Sequence, residues 1–233
     1  FLGVISLIFQ ELIEVIFTKF KIKLPKEQEV LNLVRLKANS YNPDSVLEVI
    51  DNYAYKKTFL MNIGDEKGKL LENAIIDSKA NNILELGVYL GYSSIRILRN
   101  LDNNSKLTSI ESNKKFADIA QEHINISGLS KNHKLIVGKS NEVIPKLDEK
   151  YDFIFIDHWK ELYLEDLKSL EKNDLINNNA WIFADNVILF NLEDYLDYVR
   201  SSSKYISKFI PTIREYSKSH PDGVEISIYK NEI

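Results

Sequence analysis

Phe153-Ile-Phe-Ile-Asp-His-Trp-Lys160 and, further along, Trp181-Ile-Phe-Ala-Asp-Asn186 decide how this chain is read. Each is a short apolar run that stops abruptly at a carboxylate. Runs of this length, rich in Ile and Phe, suit strands covered on both faces of a parallel sheet. In open α/β sheets, ligands bind just beyond the carboxyl ends of such strands. Asp157, Asp185 and Asn186 are therefore expected to emerge together at the place where such a protein holds its ligands. Three oxygen donors on neighbouring strand tips suit a hard divalent cation such as Mg2+. Lys160, close behind Asp157, is placed to act as a base beside that cation.

The rest of the chain alternates in the same rhythm. Strands are expected over 82–86, 106–110, 134–137, 151–156 and 180–184. Helices are expected over 93–100, 116–126, 143–147, 162–170 and 192–201. Upstream, helical periodicity covers 27–37, 45–57 (with Pro43 and Asp44 as a start signal) and 69–79, with Gly64 to Gly68 as an interruption. Two last runs, 205–213 and 224–229, flank the turn signal Pro221-Asp-Gly223 and read as an antiparallel hairpin. Five strand–helix pairs and a hairpin give an α/β fold: a doubly wound, Rossmann-like sheet of seven strands with extra N-terminal helices.

At 233 residues the chain fits one α/β domain, and a net charge of −4 argues against a nucleic-acid partner. There is no cysteine, which excludes disulfides and thiolate chemistry. His123, His133 and His220 show no partner pattern and are expected at the surface. Residues 1–26 stand apart: apolar positions surround a polar stripe of Ser6, Gln10, Glu14 and Thr18, and Lys19, Lys21, Lys23 and Lys26 follow. Glu11 and Glu14 break what a spanning helix would need, about 20 apolar residues. The segment reads as an interfacial helix or the tail of a membrane anchor, preceding a domain over 27–233. The protein is then cytoplasmic-facing, in contact with a membrane surface or otherwise cytoplasmic. The plainer alternative is an extra helix packed on the domain.

Glu85-Leu-Gly-Val-Tyr-Leu-Gly91 closes the first strand and opens its helix. Gly87 and Gly91 permit a tight turn and leave room for a ligand at the helix N-terminus. The pattern is not that of a dinucleotide fingerprint. Glu111, at the end of the second strand, is placed to accept hydrogen bonds from two ribose hydroxyls. An acid-lined loop without a pyrophosphate cradle suits a cationic, phosphate-free nucleoside cofactor, of which S-adenosylmethionine is one.

Six stretches, in order, carry a resemblance: Ser45-Val-Leu-Glu-Val-Ile-Asp51, Met61-Asn-Ile-Gly-Asp-Glu-Lys-Gly68, Leu84-Glu-Leu-Gly-Val-Tyr-Leu-Gly-Tyr-Ser-Ser94, Asp157-His-Trp-Lys160, Ala184-Asp-Asn-Val187 and Asp222-Gly-Val-Glu225. From about Glu27 to Lys230 the chain resembles the catechol O-methyltransferase family. The resemblance implies a monomeric enzyme that transfers a methyl group from S-adenosylmethionine to one hydroxyl of a small-molecule catechol with the help of Mg2+. It implies that Met61, Asn62, Ile63, Gly87, Tyr89, Ser93, Glu111, Ser140, Asn141, Asp157 and His158 line the cofactor site. It further implies that Asp157, Asp185 and Asn186 hold Mg2+, that Lys160 is the base, and that Glu225 holds the second hydroxyl. Phe59, Trp159 and Phe190 would wall the ring. The family usually has tryptophan where Phe59 stands and proline where Phe190 stands. Two other readings stay open: a related metal-dependent methyltransferase acting on other ortho-diphenols, and a membrane-associated member working mainly as a binding or trafficking partner.

The N-terminal reading has its own test. Each basic residue near an anionic surface contributes about 1 kcal/mol within a Debye length. The intact chain should co-sediment with anionic liposomes, less so at high salt, and a chain starting near Glu27 should not. Absence of liposome binding by the intact chain would remove the interfacial reading.

Overall fold

The computed structural model describes residues 24–230. The polar-striped stretch 1–20 lies outside the described residues, and among those residues no helix is long and apolar enough to cross a membrane. Among these residues three helices come first: α1 (Lys26–Lys37), α2 (Pro43–Lys56) and α3 (Gly64–Ser78). Then strands and helices alternate: β1 (Asn82–Leu86), α4 (Tyr92–Leu98), β2 (Lys106–Glu111), α5 (Lys114–Ser127), β3 (His133–Val137) and the short α6 (Ser140–Val143). They continue with β4 (Tyr151–Ile156), α7 (Tyr163–Lys172), β5 (Ile176–Ala184) and α8 (Glu193–Ser201). The last two strands, β6 (Tyr205–Ile213) and β7 (Pro221–Tyr229), follow without a helix between them. The expected doubly wound α/β sheet is the one observed.

Local chemistry explains the boundaries. Asn42 caps α2 by accepting from Ser45 N at 3.0 Å, with Pro43 opening the helix. Asn113 caps α5 in the same way, and Gly128 ends it in the left-handed region. Two turn readings need correction. Gly64 to Gly68 does not interrupt a helix but begins α3: Gly64 takes φ +71, and a Cβ there would lie 2.8 Å from Glu215 Cβ, so the first turn abuts another segment closely. Pro221-Asp-Gly223 is not the hairpin turn but the start of β7, paired with Ile213, Thr212 and Pro211. The chain reverses earlier, where Arg214 N donates to His220 O at 2.9 Å and Tyr216 takes φ +54.

The sheet order is β3-β2-β1-β4-β5-β7-β6. Strands β1 to β5 run parallel, and β7 is antiparallel to both neighbours. The order reverses between β1 and β4, which places the ligand crevice at their carboxyl ends. Successive side chains point to opposite faces. Ile83, Phe153, Phe155 and Phe183 join the core under α1 to α5, whereas Leu84, Leu86, Ile154, Ile156, Ile182 and Ala184 join the core under α7 and α8. Two histidine readings fall here. His123 is fully buried on α5 with Nδ1 2.8 Å from Leu90 O, and His133 is partly buried with Nε2 2.9 Å from Ser109 Oγ. His220 Nδ1 lies 2.7 Å from Ser217 Oγ.

Glu85 is a charged side chain in the middle of this core, fully buried on β1. Its carboxylate accepts from Ser93 Oγ (2.5 Å), Ser94 Oγ (2.6 Å) and Ser109 Oγ (2.6 Å). Burial pushes its carboxyl up to about 7 despite those three donors. A raised folded-state value means that the folded protein binds more protons than the unfolded chain between the ordinary carboxylate range and about pH 7. Stability should therefore fall as pH rises through that window, by about 1 kcal/mol per pH unit from this group. Glu85→Gln should flatten that slope in urea unfolding measured from pH 5 to 8. Parallel pH profiles of the two proteins would show that Glu85 is not the source.

Candidate active site

Asp157 and Asp185 directly follow Ile156 and Ala184, which are in register on β4 and β5, and Asp185 N donates to Ile156 O at 3.1 Å. The parity of the strands then turns both carboxylates toward the α3 side. There Lys67, 1% exposed, brings Nζ to 2.8 Å from Asp185, 2.9 Å from Glu215 and 2.9 Å from Asp222. Burial opposes the charged ammonium, but the pull of Asp185, Glu215 and Asp222 raises it well above the ordinary lysine range. Asp222 moves the other way: burial resists, yet Lys67, the Asn186 amide and the Gly223 N–H hold it below the usual carboxylate range.

Asn186 turns at φ +57, a conformation asparagine tolerates. Its Nδ2 donates to Asp222 Oδ2 at 2.8 Å and lies 3.4 Å from Glu215, so its amide oxygen is the atom left for a cation. Lys160 Nζ donates to Asp157 Oδ1 (2.8 Å) and to Tyr163 OH (2.7 Å), and the Tyr163 hydroxyl donates on to Asp185 O at 3.2 Å. Burial pushes the carboxyls of Asp157 and Asp185 up, the second to about 7, with Lys160 and Lys67 respectively pulling down. Asp157, Asp185, Glu215 and Asp222 face two ammonium groups, Lys67 and Lys160. That leaves two formal negative charges, which a divalent cation would neutralise. Among the described residues no group of three or more His, Cys, Asp or Glu side chains is arranged to hold a metal. The donor set here is two carboxylates and an amide oxygen, which suits Mg2+ with open positions for water or substrate.

The expected acid of the hairpin is not where it was placed. Glu225 pairs across from Ala184, so its side chain lies on the α8 side, where Arg200 forks onto it at 2.9 and 2.7 Å. Glu215 and Asp222, at the two ends of the β6–β7 turn, reach the carboxylate cluster instead. The face that Glu225 takes follows from its register with Ala184, which the sequence does not give, and nothing in the sequence marks Glu215, which lies in a loop. Lys67 was missed as well, because a helical lysine is ordinarily solvated.

Of the residues expected at the cofactor site, Gly87 and His158 lie beside this cluster. Gly87, at φ +92, passes so close to β4 that a Cβ would meet Asp157 O at 2.5 Å. Glu111 accepts from Val88 N (3.1 Å), Tyr89 N (3.0 Å) and Asn113 N (2.8 Å), so its carboxylate shapes the loop as well as lining it. Tyr89 sits edge-on to Phe116 and donates to Glu27 at 2.7 Å. Ser93 is tied to Glu85, Ile63 and Ser140 are buried, and Asn141 is exposed. His158 stacks on Tyr163 at 5.3 Å, with Nε2 2.5 Å from Asp166. Two buried atoms of this set, Asn62 Nδ2 and His158 Nδ1, have no protein partner, as fits groups that meet a ligand. Met61 is 47% exposed, and Trp159 (70%) and Phe190 (40%) stand at the rim, with Lys160 Nζ 5.6 Å from the Phe190 ring centroid. The backbone of Phe59 is held by Lys26, whose Nζ donates to its carbonyl at 3.1 Å.

Comparison with known proteins agrees with this geometry. The sequence model of the O-methyltransferase family matches residues 37–206. Catechol O-methyltransferase of Mus musculus is 38% identical over 210 residues, covering 88% of this chain and 79% of that protein. A transmembrane O-methyltransferase homologue of the same species is 30% identical over 77% of this chain and 72% of its own length. Among solved structures, an O-methyltransferase from Bacillus cereus in complex with SAH superposes with TM-score 0.69 at 22% identity, covering 81% of this chain and 90% of that one. One from Streptomyces achromogenes in complex with SAM gives TM-score 0.71 at 22% identity, over 79% and 89%. These two likenesses establish the fold. The sequence relationships establish more: this chain belongs to the O-methyltransferase family, as a relative of the catechol O-methyltransferases and an S-adenosylmethionine-dependent methyltransferase.

Proposed function

We propose that this protein methylates one hydroxyl of a catechol and that Mg2+ is required. The observation that carries the reading is the strand-tip constellation of Asp157, Asp185 and Asn186, short of positive charge by two units and flanked by Lys160. When bound, S-adenosylmethionine supplies an electrophilic methyl group, and Mg2+ supplies the charge that stabilises a phenolate. Three protein oxygens leave about three positions on an octahedral cation. Two adjacent hydroxyls and a water would fill them, which favours a vicinal diol over a monophenol.

The chain's own groups do the rest. In the state that acts as base, the Lys160 ammonium counted above has released a proton to solvent, and its amine keeps two N–H donors and one lone pair. With Asp157 and Tyr163 holding the two donors, the Lys160 lone pair is left to take the hydroxyl proton. Glu215 takes the role first assigned to Glu225: its carboxylate, beside Asn186, is within the cluster and able to accept from the hydroxyl that is not methylated. Trp159, Phe190 and Phe59 flank the ring, and Glu111, Asn62 and His158 face the nucleoside.

Methyl transfer from S-adenosylmethionine to a simple catechol should vanish with EDTA and return with Mg2+, and excess Ca2+ should inhibit because its longer, looser bonds misplace the hydroxyls. Undiminished turnover after exhaustive chelation would overturn the metal assignment.

The residue roles separate by kinetics. Lys160→Ala should lose on the order of 10²–10⁴ in turnover with cofactor affinity kept. Glu111→Gln should weaken cofactor binding measured by calorimetry. Glu215→Gln should raise KM for the catechol, whereas Glu225→Gln should lower the melting temperature with little effect on KM. The reverse pattern for the last pair would return the substrate role to Glu225.

A further inference from the structure

Four of the chain's five arginines have an acid to hold. Arg35 forks onto Glu122, Arg96 and Arg99 share Glu72, and Arg200 forks onto Glu225. Arg214 is the exception: it has no carboxylate partner among the described residues, and its Nε is buried without an acceptor. Its guanidinium instead stands 5.5 Å from the centroid of the Phe59 ring. A buried guanidinium N–H left without an acceptor is unfavourable unless a ligand completes it.

The position of this cation is well defined. Arg214 directly precedes Glu215, whose carboxylate reaches Lys67 and Asn186. Its backbone is held on both sides, N donating to His220 O at 2.9 Å and O accepting from Ser217 N at 3.1 Å. Tyr216 fastens the same turn to the body of the protein, with its hydroxyl 2.8 Å from Asp51 and 2.7 Å from Asn62. The Arg214 side chain thus projects from a fixed turn onto a ring that borders the substrate side. The two negative charges left over in the neighbouring cluster are the ones a divalent cation would neutralise, so with that cation bound none of them remains for Arg214 to answer.

We propose that Arg214 is a specificity-determining residue that binds an anionic ring substituent, so that the preferred substrate is a catechol carrying a carboxylate on the ring or on a short side chain. This rests on the catechol reading above and names the substrate class for the same site. A guanidinium matches a carboxylate with two parallel hydrogen bonds. An amine on the same substituent would meet like charge and leave Arg214 unpaired. A dianionic phosphate would bring a second negative charge that no further cation among these residues faces, which favours the carboxylate.

The test compares three catechols that differ only in the substituent: 3,4-dihydroxybenzoate, 4-methylcatechol and 4-(2-aminoethyl)catechol, each with S-adenosylmethionine and Mg2+. The carboxylate should give the highest kcat/KM and the amine the lowest. Arg214→Leu should reduce the ratio of carboxylate to methyl substrate by about tenfold or more, chiefly through KM. Arg214→Lys, which keeps the charge and loses the fork, should retain part of it and guards against a folding defect. S-adenosylhomocysteine affinity by calorimetry should be the same in all three proteins. If 4-methylcatechol is methylated but the ratio is the same in wild type and Arg214→Leu, this inference is overturned and the catechol reading stands. If Arg214→Leu instead weakens S-adenosylhomocysteine, the guanidinium serves the cofactor and the inference is equally overturned. If none of the three is methylated, the catechol reading itself fails and takes this inference with it.

Discussion

The ammonium of Lys67 is the contact on which the rest of the site depends. It stands on α3, yet its three acid partners come from the tip of β5 and from both ends of the β6–β7 turn. Without it, Asp185, Glu215 and Asp222 would face one another in a buried space, and breaking such a cluster by removing one member costs on the order of 3–5 kcal/mol. The same contact joins α3 to the β6–β7 turn. Gly64, at the start of α3, leaves no room for a side chain against Glu215, and Asn62, just before it, meets the hydroxyl of Tyr216. The segment before α3 and the β6–β7 turn are therefore packed as one unit.

Strand parity is the second constraint. On β4, β5 and β7 the side-chain direction alternates with no bulge at the critical end, so Asp157 and Asp185 must leave their strands on one face and Glu225 on the other. This is why a glutamate at a suggestive spacing ends up neutralised by Arg200, while one from an irregular turn reaches the cluster. The crevice itself is formed by two backbones meeting. Gly87 and Asp157 O are separated by less than a side chain would allow, and Glu111 gathers three N–H groups of the adjoining turns. Glu111 thus holds the turn that follows β1 in place.

Much of this was legible in the chain. Apolar runs that end in Asp157 and Asp185 are long enough to be strands and too abrupt to be anything but strand tips, and β4 and β6 fall at the bounds their periodicity indicates. Local chemistry of that kind requires only neighbours in sequence. The doubly wound α/β sheet followed from it, and the family followed from the six stretches that carry the resemblance.

What the sequence could not decide are the pairings between residues far apart in the chain. Lys67 and Asp222 are 155 positions apart, and a lysine in a helix looks solvated until the sheet edge closes over it. The turn expected at Pro221 lies several residues earlier because the register of β7 against β6 carries the ladder through Gly223. His123 looked like a surface residue, but its helix face is set by what α5 packs on. The sequence by itself determined which elements form and which residues stand at their ends. The tertiary structure alone decided which face each acid takes and which cation answers it, since both depend on contacts made only when distant strands and helices meet.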